Sequence, residues 1–130
     1  ILIEQQTYRL YKKYLTTFKS PTSKILLFLL QKDRIDCYNH GLKYIKKYDT
    51  EILIDKLFLD DYNKESKIST VLDAFEEFKS QSIILQDYLY KKETNSFLIK
   101  FMPLTEMDIK YLINKDENII NQTHSLVSEI

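Results

Sequence analysis

One glycine, two prolines, one cysteine and no tryptophan among 130 residues close off several classes of protein. With a single glycine no Gly-rich phosphate loop can form. An all-β fold is also disfavoured, because its tight turns need residues at positive φ. The lone thiol, Cys37, cannot make an internal disulfide, which points to a reducing, intracellular and cytoplasmic setting. The longest apolar run, Ile25–Leu30, falls far short of the ~18–20 residues of a membrane span. No signal-peptide pattern is visible, and no membrane partner is expected. The chain opens at Ile1 without Met, as an excerpt of a longer protein would.

Net charge is missing too, but its zero conceals an asymmetry. Residues 1–48 sum to +7 and residues 49–130 to −7. A half this basic suits phosphate or an acidic partner; equally, the two halves neutralise each other across the fold.

What is present is an ordinary apolar share of 44% and an abundance of aromatics, ten Tyr and seven Phe. That disfavours disorder and supplies one core, so a single domain over 1–130 is expected. No repeat or linker interrupts it.

Tyr8, Tyr11, Leu15 and Phe18 recur at steps of three and four, with Leu10 and Tyr14 beside them, and predict a helix over 3–19. Ser20-Pro21 punctuates: Ser caps a helix and Pro suits its first position. The Leu-rich run that follows predicts a buried central helix over 21–32. Ile35, Tyr38, Leu42 and Ile45 share a helical face, which extends helix over 34–48 with Asp33 as cap and Gly41 inside it. Residues 51–54 read as a short strand leading into a helix over 55–62, or as part of one helix from Thr50. Ile68, Val71, Leu72, Phe75 and Phe78 mark the clearest amphipathic helix, 65–80. Two aromatic and branched runs, 82–90 and 97–102, flank the polar Glu93–Ser96 and predict a β-hairpin; a helical reading of 82–92 competes. A helix over 105–115 closes the ordered part, and the chain is expected to fray beyond Asn118. The fold class is therefore α+β, predominantly helical, with an all-α helical bundle as the alternative.

This order of elements, together with Thr22–Leu30 as first helix and Val71–Phe78 running into Ile83-Ile84-Leu85, resembles the winged-helix domains of plasmid-type replication initiators. The resemblance spans about 22–102, within a core of about 21–103, with Tyr90–Phe97 as the wing. The N-terminal helix and the helix over 105–115 are additions to it. It implies binding to double-stranded DNA without catalysis. The helix over 65–80 would enter the major groove by its first turns, bringing Lys64, Ser66, Lys67, Ser69 and Thr70 to phosphates or base edges. Lys91, Lys92 and Asn95 at the wing would reach the flanking backbone. The segment 64–80 departs from that pattern: three Lys face Glu65, Asp73, Glu76 and Glu77, and no Arg, the commonest reader of guanine, is present. A helical or winged-helix protein-interaction module of a larger assembly is the alternative, since a fold does not dictate its function.

Other candidates carry less. Cys37 and His40 stand three apart, but two ligands without a second pair make no zinc site, and Cys37 reads as a core residue. The Tyr-rich face of the first helix, interleaved with Lys, could stack single-stranded bases, yet aromatics at helical spacing are usually core. Asp60-Asp61 and Glu76-Glu77 read as solvated helix faces. Asn121-Gln122-Thr123 fits a glycosylation acceptor by chance. No metal and no cofactor is expected.

Overall fold

A computed structural model describes residues 2–59, 63–110 and 112. In chain order these form α1 (Leu2–Tyr14), a 3₁₀ turn (Leu15–Thr17), α2 (Pro21–Asn39), β1 (Ile45–Asp49), α3 (Thr50–Lys56), α4 (Lys64–Ser80), β2 (Leu85–Lys91) and β3 (Ser96–Phe101). Residues 106–110 and Leu112 are again helical. The strands make one antiparallel sheet in the order β1-β3-β2. The class is thus α+β, and the competing helical reading of 82–92, with the all-α bundle built on it, is replaced by a β2–β3 hairpin.

Helix α2 has Pro21 in its first turn and runs on to Asn39, beyond the expected end at 32. It stops there because Gly41 adopts φ +61. The amide of Leu42 donates to the Cys37 carbonyl over 2.9 Å and that of Gly41 to the Tyr38 carbonyl over 3.3 Å, a Schellman closure of the last turn. The helix expected over 34–48 is therefore corrected: Gly41 terminates α2 rather than sitting inside a helix. Ile45–Asp49 becomes the strand, because it pairs with β3 in a register that sets Tyr48 opposite Phe97 and Ile45 opposite Lys100.

The strand expected over 51–54 is corrected in turn. Asp49 Oδ1 accepts from the Ile52 amide over 3.1 Å and caps a helix beginning at Thr50. The one-helix alternative holds at this end, but α3 finishes at Lys56, and residues 60–62 of the expected 55–62 helix lie outside the described residues. Helix α4 follows expectation; Asn63 Oδ1 accepts from the Ser66 amide over 2.8 Å and caps it.

One main core lies between the helices and the inner sheet face. Leu26, Leu27 and Leu30 of α2 meet Leu53 of α3, Val71, Phe75 and Phe78 of α4, and Phe97, Ile99 and Phe101 of β3. Phe75 touches Phe97 edge-on at 5.5 Å, and Phe18 stacks on Phe78 at 4.3 Å. Cys37 is buried, as expected of a core thiol. Helix α1 turns Leu10, Tyr11 and Tyr14 inward, while Tyr8 stays exposed under the Lys12 ammonium. A satellite cluster of Leu10, Ile35, Leu104 and Leu112 fastens the C-terminal helical stretch to α1 and α2. Of the helix expected over 105–115, residues 111 and 113–115 lie outside the described residues, as do Asp60-Asp61, Asn121 and the tail beyond Asn118.

Candidate nucleic-acid interface

The first turns of α4 and the loop of the hairpin meet at one groove. The loop Lys92–Asn95 reverses the chain between β2 and β3, and the Asn95 amide donates to the Lys92 carbonyl over 3.2 Å. Asn95 closes the loop at φ +48, a left-handed conformation that Asn tolerates better than most residues. Its carbonyl accepts from the Thr50 amide over 3.0 Å, which ties the loop to the start of α3.

Beside this loop lies an open groove of about 510 Å³, lined by Lys64, Glu65 and Ile68 of α4 and by Tyr90, Lys92 and Asn95 of the hairpin. The fold therefore unites Lys64 with Lys92 and Asn95. It does not add Lys91: β2 alternates, Tyr90 packs inward on Phe97 at 5.1 Å, and Lys91 leaves from the opposite sheet face. Ser69 is exposed, whereas Ser66, Lys67 and Thr70 are half-buried. The Thr70 hydroxyl donates to the Ser66 carbonyl over 2.9 Å, so its proton serves the helix. Among the described residues Lys67, Lys91 and Lys92 make no ion pair, whereas Lys64 Nζ lies 3.2 Å from Glu51 Oε1.

Glu51 was not singled out in the sequence. Its Oε1 also accepts from Asn95 Nδ2 over 3.4 Å. Lys64 first, and Asn95 second, hold its carboxyl below the usual range. No local signal announces it, because its partners come from other elements. Glu65, Ile68 and Tyr90 are likewise groove residues that periodicity identifies only as helix and strand positions.

Beyond Thr70, α4 carries Asp73, Glu76 and Glu77 against Lys79. Glu65, Ser69, Asp73 and Glu76, spaced by four, four and three, share an exposed stripe. Glu76 accepts from the Tyr88 hydroxyl over 2.5 Å, which pushes that phenol up to about 12. Glu77 turns away and accepts from Ser23 Oγ over 3.2 Å. On the outer sheet face Ile45 and Leu89 are exposed around Leu98, with Lys100 beside them.

The charge asymmetry is partly absorbed across the fold. Asp108, from the acidic half, pairs with Lys13 and Arg34 of the basic half at 2.9 and 3.2 Å. Cys37 and His40 do not converge: the thiol is buried, while the exposed imidazole lies 3.0 Å from Asp36 Oδ1. Among the described residues no group of His, Cys, Asp and Glu is arranged to hold a metal ion, and no helix is long and apolar enough to cross a membrane.

Compared with protein-family models, curated proteins and solved structures, the chain matches none of them.

Proposed function

We propose that the chain is a winged-helix domain that binds duplex DNA, as a non-catalytic part of a replication initiator or regulator. The winged-helix assignment draws support from the order helix–strand–helix–helix–hairpin over α2 to β3, with the first strand completing the sheet beside the last. The DNA-binding role rests on one observation: the first turns of α4 and the hairpin loop share a single groove into which Lys64, Lys92 and Asn95 converge. In this arrangement the first two turns of α4, Lys64 to Thr70, approach the major groove and the loop follows the flanking phosphates. The acidic stripe from Asp73 onward keeps the later turns away from the backbone.

Electrophoretic mobility shift with a duplex, repeated across salt, is the test. Three engaged lysines, Lys64, Lys67 and Lys92, correspond to a log–log salt slope of about −2.7 through counterion release. The absence of a complex even at low salt would remove this function. That outcome favours a protein-interaction module, for which the acidic stripe on α4 and the apolar outer sheet face are the supporting observations.

A further inference from the structure

We infer that Glu51 is an internal stand-in for a DNA phosphate, occupying Lys64 and Asn95 until a duplex displaces it and thereby setting the affinity of the groove. This rests on the DNA-binding role proposed above. One carboxylate oxygen of Glu51 takes an ammonium donor at 3.2 Å and an amide donor at 3.4 Å. An ammonium and an amide N–H are also the kinds of donor from which a phosphate oxygen accepts on a protein. The three side chains belong to three elements, α3, α4 and the hairpin loop, so the contact exists only once the groove is assembled.

The contact is easily opened. Both charged side chains are more than half exposed, at 60% and 57%, and an ion pair in water contributes little to folding. Losing it does not release the loop, because the neighbouring Thr50 amide still holds the Asn95 carbonyl. The carboxylate is negative at neutral pH as any ordinary glutamate is, and Lys64 and Asn95 hold it lower still. Glu51 therefore competes with phosphate twice, by occupying its donors and by repelling its charge. The consequence is a groove in which weak, non-specific phosphate contact is suppressed and Lys64 is released only when the other contacts are in place.

The experiment measures duplex affinity by fluorescence anisotropy for the wild type, Glu51→Gln, Lys64→Gln, the Glu51→Gln/Lys64→Gln double variant and Asp55→Asn. Asp55→Asn removes an exposed charge from the same helix without touching the groove donors. Removing one charge ~5 Å from a phosphate in water corresponds to roughly four-fold tighter binding for Glu51→Gln. The salt slope should stay near that of the wild type, since Lys64 meets phosphate in both complexes and only the displacement of Glu51 is removed. The gain should fall to less than about half in the Lys64→Gln background, since coupled residues are not additive. Thermal melting of each variant checks that the fold is retained. If the wild type binds but Glu51→Gln does not tighten it, or Asp55→Asn tightens it equally, or the gain survives intact without Lys64, the stand-in role is wrong and DNA binding stands. If neither the wild type nor Glu51→Gln binds at the lowest salt, DNA binding and the role of Glu51 fall together.

Discussion

Arg34 donates through Nη2 to Asp108 Oδ2 over 3.2 Å, and the two side chains are only 3% and 1% exposed. The pair is well supplied with further partners. Arg34 also donates to the carbonyls of Met102 and Pro103 and to Gln31. Asp108 accepts from Lys13 and from the Thr105 amide, while its own amide donates to the Thr105 hydroxyl. That reciprocal exchange is a capping box at the start of the C-terminal helical stretch. The network thus locks α1, α2 and the segment after β3 into one unit.

Removing one partner strands a buried charge. Asp108→Ala should destabilise the protein by about 3–5 kcal/mol in urea unfolding, because Arg34 is left without its counter-ion. Lys13→Ala, which removes a partly exposed partner, should cost under about 1 kcal/mol. An Arg34→Met/Asp108→Leu double variant should recover much of the loss, as apolar replacements of buried pairs often do. Equal losses from Asp108→Ala and Lys13→Ala would contradict this ranking.

The same pair predicts acid sensitivity. Burial pushes the Asp108 carboxyl up, but Lys13, the Thr105 amide and Arg34 outweigh it, so the group titrates below its ordinary value. The unfolded chain then binds this proton more readily than the native one. The stabilisation is complete above the ordinary carboxylate range and is lost as pH falls through the native value, below about pH 4. Urea midpoints measured from pH 7 down to pH 3 should fall steeply at the acid end. Asp108→Asn should start lower and flatten that fall.

Gly41 makes a purely backbone prediction. Its φ is +61, and a Cβ there would meet nothing within 4 Å. Gly41→Ala should therefore cost about 1 kcal/mol, the left-handed penalty, with no steric addition. Gly41→Asn should cost less. A Gly41→Ala variant as stable as the wild type would show that α2 can end without this turn.

The two wing lysines should differ. Lys92 lines the groove with Lys64, whereas Lys91 leaves from the other sheet face. Lys92→Glu should reduce the salt slope of duplex binding by about 0.9, and Lys91→Glu by distinctly less. The reverse order would move the contact surface from the groove to the outer sheet face.

Periodicity located α4 and the start of α1, whose predicted span to 19 ends at Tyr14 before a 3₁₀ turn, and it favoured the hairpin over a competing helix across 82–92. Val71, Phe75 and Phe78 line one helical face, and the runs ending at Tyr90 and beginning at Phe97 flank a polar loop. Lys64, Lys92 and Asn95 came instead from the winged-helix resemblance, which named Lys91 beside them without separating it from the groove. Periodicity misplaced β1 because Ile35, Tyr38, Leu42 and Ile45 keep helical spacing straight through Gly41. Only the left-handed turn at Gly41 and the open side of β3 decided that Ile45–Asp49 is a strand. Glu51 was beyond reach for the same reason. It meets Asn95 across 44 positions, and that meeting exists only after β3 has paired with both neighbours and drawn the hairpin loop against the start of α3. Local pattern specifies which face of an element is apolar; which elements become neighbours is settled by burying those faces together, a long-range condition that no short window contains.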